Sequence, residues 1–517
     1  MHWAYEAANI LLNNYPDRLE LTCASGVSPS GYIHVGNFRE VVTTYFVTEA
    51  LKDLGGNPRF ILSWDDYDRL RKIPANVSGV NEDQIGRPYT KVPYAFNEEE
   101  SYGAFFEKTF EADLEKMGIT PEYIYETQRY ESGVYDEYII KAMEQRREIY
   151  DILENFRTEK SNEEAREKYY PISLYCDTCG HDSTTITNYD ERTKKIDYTC
   201  HFGHTGSQVI GQKQKVKLHW KVDWPMRWKF EEVVFEPGGK DHSSKNGSFD
   251  VAKMVAKNVF DYTAPSYEPY DFINIKGQTQ KMSSSAGNII TLTDLLAIYT
   301  PELIFYLYAK YLPKAQFDIG LDTDVLKNYT EFERKVSQSR ENPDQDELTA
   351  QMIKLTKINL QKNYPSFSHT VSILSLTNND QQMAKAILLK EAPYTSEELD
   401  HIVPRAAYWI ENDADNHLLT IQTEQDHVYY DSLSQEIKET LNTLAEILKN
   451  NPGLTGDELM QTVYDLVKSE DKQERRAKQK ELFQAIYQLT LKKNSGPRIP
   501  LLIQVIGRPH FIELICN

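Results

Sequence analysis

Three groups of residues have types and spacings suited to chemistry. The first is Ala24-Ser25-Gly26-Val27-Ser28-Pro29-Ser30-Gly31-Tyr32-Ile33-His34-Val35-Gly36-Asn37. A loop of small residues feeding a helix can cradle anions, because first-turn N–H groups lack backbone partners. The second is Cys176-x2-Cys179 followed by Cys200-His201-x2-His204. Thiolates and imidazole at such separations suit a tetrahedral zinc ion. The fourth ligand is His204 or His201. The Cys-x3-His spacing favours His204, since adjacent residues rarely aim at one ion. Four protein ligands leave no position for water, which makes the site structural. The third is the hydroxyl-rich segment 277–288, whose one ammonium, Lys281, is followed by Met282 and Ser283. A mobile cation among small donors can follow the charge that develops on a transferring phosphate.

Other polar and aromatic residues cluster nearby in sequence. Asp65, Asp66 and Asp68 follow an apolar run and could hold a cationic group or Mg2+, or face solvent. Glu236-Pro237-Gly238-Gly239-Lys240-Asp241-His242 combines glycines with both donors and acceptors. Trp220, Trp224 and Trp228 could form an amine-binding wall, or pack the base of a sheet.

The elements that must position these groups follow from hydrophobic period. Residues 19–23 read as a buried strand. Phe38, Val42, Phe46, Ala50 and Leu54 recur every four residues, one face of a helix closed by Gly55-Gly56. Residues 58–63 read as a second strand. Parallel sheets bind ligands outside the carboxyl ends of their strands, so the small-residue loop and Asp65 fall at the expected edge. A helix from a cap at Asn97 through Met117, a strand over 119–126 and a helix over 135–156 come next. The chain returns to strand character after the cysteine-rich insertion. A helix over 248–258 and a strand over 272–275 follow, and from Glu302 the pattern is helical almost to the end.

Composition narrows the function classes. At 517 residues the chain exceeds one ordinary core, so two to four domains are expected. There is no long apolar run and no basic–apolar leader, so a cytoplasmic protein without a membrane partner is expected. Five cysteines, three of them close to histidines, fit a reducing compartment and a metal rather than a disulfide framework. A net charge of −20 argues against indiscriminate binding to DNA or anionic membrane. It leaves room for a local basic face such as Arg475, Arg476, Lys478 and Lys480, or Arg498.

His34-Val35-Gly36-Asn37 and Lys281-Met282-Ser283-Ser284-Ser285 resemble, in that order, the two signatures of class I aminoacyl-tRNA synthetases. Pro29-Ser30-Gly31 and Arg39-Glu40 around the first resemble the class I form of lysyl-tRNA synthetase. The resemblance implies an α/β Rossmann-like nucleotide-binding catalytic domain with a zinc-knuckle insertion, followed by an all-α C-terminal domain. The expected division is 1–165 and 215–300 for the two catalytic halves and 166–214 for the insertion. Residues 301–345 would be a helical connection and 346–517 an anticodon-binding module. Implied are ATP, Mg2+ and structural Zn2+ as cofactors, and L-lysine and tRNA(Lys) as substrates.

Residue by residue, the resemblance assigns His34, Asn37, Lys281 and Ser283 to catalysis. It assigns Gly26, Ser28, Gly31, Gly36, Asp241 and Met282 to ATP. Glu40, Asp65, His242 and Tyr270 are left for the amino acid, with Glu40, Asp65 or Tyr270 meeting its ammonium. The common second lysine of the later signature is Ser284 here, so Lys281 carries that loop's charge alone. Two alternatives stand beside this reading: a glutamyl-type enzyme of the same class, and a synthetase-like RNA-binding scaffold without catalysis.

Overall fold

The computed structural model describes all residues except 97–99, 158–161, 279–281, 283–286, 343–345, 413–416, 455 and 517. Strand β1 (Leu21–Val27) runs further than its apolar half suggests. Ala24, Ser25 and Gly26 belong to the strand rather than to the loop, and pair in parallel with β2 (Pro58–Trp64), Gly26 opposite Ser63. Between them lies helix α1 (Val35–Asp53). Strand β3 (Glu122–Tyr125) extends the sheet on one side. On the other side helix α2 (Trp220–Phe230) leads into β4 (Val233–Gly239), and helix α3 (Ser248–Val259) leads to β5 (Ser266–Tyr270). The sheet order is β5-β4-β1-β2-β3, all parallel. The chain leaves β1 toward β2 and later returns to β1's other side as β4, which opens a switch-point crevice between β1 and β4.

Three expectations shift. The strand character on return from the insertion is confined to Val216–Leu218, and the tryptophans that follow lie on a helix, where 220, 224 and 228 are spaced by four and share a face. The helix expected over 135–156 is two, Asp136–Glu144 and Arg146–Asn155. The strand before the second signature is shorter, Ile273–Ile275, and pairs with Phe317–Ile319 outside the main sheet.

The insertion is antiparallel. Thr184–Asp190, Lys195–Cys200 and Thr205–Val209 form a three-stranded sheet. Ile172–Leu174 pairs with Val216–Leu218 at its base. Contacts divide the chain into two units, 1–320 with 338–359, and 321–337 with 360–517. The second is built of helices. Its core includes Tyr329 stacked on Phe367 at 4.0 Å, and Trp409, whose indole donates to the Leu321 carbonyl. Among the described residues no helix is long and apolar enough to cross a membrane.

Candidate active site

His34 is the N-cap of α1, in extended conformation, and its Nδ1 accepts from the N–H groups of Gly36 (3.0 Å) and Asn37 (3.3 Å). Two first-turn donors are thereby capped by the ring rather than left open. With Nδ1 an acceptor, the neutral ring carries its proton on Nε2. Gly36 contributes through what it lacks, since a Cβ there would stand 2.8 Å from the His34 ring. The loop before α1 is held from two sides. Tyr102 donates to the Ser30 carbonyl at 2.7 Å, and the Val35 N–H donates to the carbonyl of Ile290 at 2.9 Å. That second bond ties the first signature to the segment that follows the second.

Beside this turn, in the crevice between β1 and β4, lies a cavity of about 120 Å3. Gly26, Glu40, Asp65 and His242, all singled out above, line it, as do Arg227, Glu236 and the rings of Trp220, Trp224 and Trp228. Glu40 is fully engaged: Oε1 accepts from Gly26 N–H at 2.8 Å and Oε2 from the Tyr270 hydroxyl at 2.7 Å. Burial in this wall pushes its carboxyl up to about 8. Asp65 lies 2.9 Å from Arg227 NH1. Burial pushes Glu236 up to about 7 despite the indole N–H groups of Trp224 and Trp228, which both donate to it. His242 packs edge-on against Trp220, with ring centres 5.2 Å apart.

Arg227 brings a guanidinium to the cavity wall, yet it is already shared. It also pairs with Glu126 at 3.1 Å and Asp223 at 3.2 Å, both completely buried side chains. Lys217, where the chain leaves the insertion, pairs with Asp68 (2.8 Å) and Asp223 (3.2 Å). Asp65, Asp68, Asp223 and Glu126 thus outnumber Arg227 and Lys217, before Glu40 and Glu236 are added. The cavity is acidic and aromatic, a setting for a cation.

The structure separates the other expected site residues from these. Asp66 turns away from the cavity and accepts from the Thr127 N–H at 2.7 Å. Ser28 is half-buried in the loop, and Gly31 packs against Pro74. Asp241 is exposed beyond the end of β4, outside the cavity wall. Met282 is buried, whereas Lys281 and Ser283 lie outside the described residues. Arg227 and Glu236 were given no role from sequence, and the tryptophans were left between an amine-binding wall and sheet packing. The four-residue spacing of the tryptophans was the available signal.

The cysteine cluster closes as a separate centre. Ligand atoms of Cys176, Cys179, Cys200 and His204 all lie within 4.8 Å of one another, and His201 is not among them. Cys179 Sγ and Cys200 Sγ are 3.6 Å apart, and Cys176 Sγ and His204 Nδ1 are 3.7 Å apart. The edge of a tetrahedron with Zn–S bonds of about 2.3 Å is about 3.8 Å, so these separations fit one ion. The knuckle also touches the turn after β2: Tyr175 donates to the Tyr67 carbonyl at 2.6 Å, and Arg69 pairs with Asp182 at 3.1 Å.

Residues 1–359 match the family described as tRNA synthetases class I (K). The lysine--tRNA ligase of Treponema pallidum is 35% identical over 98% of this chain and 97% of its own length. That of Thermococcus kodakarensis is 32% identical over 99% of each chain. Among solved structures, a glutamate tRNA ligase from Elizabethkingia meningosepticum aligns with 14% identity and a TM-score of 0.48, over 96% of this chain and 98% of that one. With a family match over well more than half its length and full-length relatives above 30% identity, the chain belongs to the class I lysine tRNA synthetases.

Proposed function

We propose that the chain joins L-lysine to tRNA(Lys) through a lysyl-adenylate. The observation that carries this beyond family membership is the acidic, tryptophan-walled cavity beside the capped helix terminus at the sheet's switch point. A glutamate side chain would meet Asp65 and the carboxyl groups of Glu40 and Glu236 there, none of which can pair with its charge. Lysine brings the opposite sign.

Aminoacyl-tRNA synthetases use ATP and Mg2+. In the proposed reaction a lysine carboxylate oxygen bonds to the α-phosphorus of ATP, and the bond to pyrophosphate breaks. The terminal 2′-hydroxyl of tRNA(Lys) then attacks the acyl carbon and AMP leaves. No side-chain nucleophile is required, so the chain's task is orientation and charge stabilisation. His34 would donate from Nε2 to phosphate, with Asn37 beside it. Gly26, Ser28, Gly31 and Gly36 would let the nucleotide approach the backbone, and Asp241 and Met282 would complete its site. Lys281 and Ser283 would stabilise the departing pyrophosphate. Bound Mg2+ would offset charge on the same oxygens. Glu40, Asp65, His242 and Tyr270 would hold the amino acid.

The metal centre is proposed as a structural zinc site of Cys176, Cys179, Cys200 and His204, in an insertion over 166–214 between catalytic halves 1–165 and 215–300. Residues 301–345 would connect to an anticodon-binding region within 346–517, in a cytoplasmic enzyme. Arg475, Arg476 and Lys480 are exposed on the helix Lys472–Leu491, where RNA phosphates could meet them. Lys478 and Arg498 are already paired with Glu436 and Asp457.

The test is aminoacylation of total tRNA with ATP and Mg2+, comparing labelled lysine with labelled glutamate. Lysine incorporation that is lost in Lys281→Ala is expected. Binding of tRNA without incorporation of either amino acid would replace the enzyme by a scaffold.

A further inference from the structure

The carboxylates lining the cavity are not equally available. Both oxygens of Glu40 are occupied by protein donors, Gly26 N–H and the Tyr270 hydroxyl. Asp65 is held by charge instead: its Oδ1 lies against the Arg227 guanidinium, which ties it into the ion-pair network with Asp223 and Glu126. Glu236 differs. It is 93% buried (7% exposed), yet both indole donors, Trp224 and Trp228, reach the same oxygen, Oε2. No donor among the described residues reaches Oε1, while the side chain forms part of the cavity wall. A carboxylate oxygen that faces a cavity without a protein donor is open to a donor from a ligand.

Its depth says which part of the substrate would supply it. Glu236 stands three residues before Gly239, the end of β4, and so about 10 Å below the sheet edge at strand rise. The reacting carboxylate of the amino acid has to sit at that edge, beside the α1 terminus where ATP is placed. The far end of a lysine therefore points down the crevice, between indole rings that favour a cation on their faces. We infer that Glu236 is a specificity-determining residue whose Oε1 accepts a hydrogen bond from the side-chain ammonium of lysine. This rests on the lysine-activating function proposed above. The two indoles fix the carboxylate's rotamer and leave one oxygen aimed at the substrate. Gly238 keeps the neighbouring wall thin: a Cβ there would fall 2.0 Å from the Tyr267 hydroxyl.

The test uses the purified full-length chain and direct binding of L-lysine, measured by calorimetry, alongside 6-hydroxy-L-norleucine, in which a hydroxyl replaces the ammonium. Glu236→Gln keeps an acceptor for both indoles and removes the charge. It should weaken lysine binding by about 30-fold or more and narrow the preference for lysine over the hydroxyl analogue, with ATP binding and far-UV circular dichroism unchanged. Equal lysine affinity in parent and variant would overturn the inference and leave Glu236 as an anchor for the indoles. If Glu236→Gln does not fold, Glu236→Asp serves. It retains the charge but withdraws it by one methylene, and an unchanged lysine affinity would again overturn the inference. A parent protein that binds glutamate and not lysine would instead refute the proposed function, so the two failures are distinguishable.

Discussion

The two units bury different material. In the first, charged side chains are buried in numbers: Lys217 meets Asp223, Arg227 reaches Glu126, and Glu236 sits between indoles. In the second, Glu398 is the one charged side chain buried among the described residues, and its carboxylate caps the N–H groups of Asn363 and Thr395, each at 2.8 Å. The other buried polar groups there are hydroxyls such as Thr370 and Thr490, each bonded to the carbonyl one turn back. Buried charge is expensive unless paired, and pays for itself chiefly where a site needs a fixed field. The difference separates a unit built around chemistry from one built around a helical core with an ionic surface.

The sharpest way to break this contrast is to remove a buried charge. Arg227→Met should leave Asp65, Asp223 and Glu126 facing each other and destabilise the first unit by about 3–5 kcal/mol, read by urea unfolding. A loss below 1 kcal/mol would show that the network is not needed for folding. Lys281→Ala should lower aminoacylation by about 100-fold or more while calorimetric lysine binding stays within about twofold of the parent, separating catalytic from binding charge. Chelation, or Cys176→Ser, should reduce bound zinc measured by atomic absorption from one per chain to none and open 172–218 to protease. A knuckle equally resistant without metal would make the cluster a set of free thiols.

Smaller effects probe the second unit's surface and the cavity's protons. Replacing Arg475 and Arg476 together by Glu should raise the KM for tRNA by about 5–10-fold and flatten its salt dependence, with lysine binding unchanged. An unchanged KM would move the RNA contact elsewhere. Glu40 and Glu236, raised to about 8 and about 7 by burial, hold protons in the folded chain that the unfolded chain releases at lower pH. Stability of the ligand-free protein should therefore fall as pH rises through 7 to 8. Lysine should bind a few-fold more tightly over the same range as these carboxylates ionise beside Asp65 and Arg227. Unfolding temperatures at pH 6 and 8.5, with and without lysine, check both signs: the gain from lysine should be larger at pH 8.5.

Much of the candidate site was legible before any coordinates. His34 with Gly36 at a helix entry, Asp65 at a strand end, and the Cys176-Cys179 and Cys200-His204 pairs announce themselves by residue type and short spacing. Local geometry alone makes an N-cap, a strand end or a metal knuckle. The apolar period of α1 and of the later helices was readable for the same reason, since it repeats within one element. What could not be read were associations across hundreds of residues. Tyr270 donates to Glu40 across 230 positions, and Arg39 holds the carbonyls of Asp271 and Ala315. The tryptophans became a wall only once α2 was packed beside β4. The amino acids in order were enough to determine the chemical inventory and the local turns that present it. Only the tertiary structure decided which carboxylates are tied to a cation and which meets indoles instead, because desolvation and hydrogen-bond partners are set by the neighbours that packing brings together.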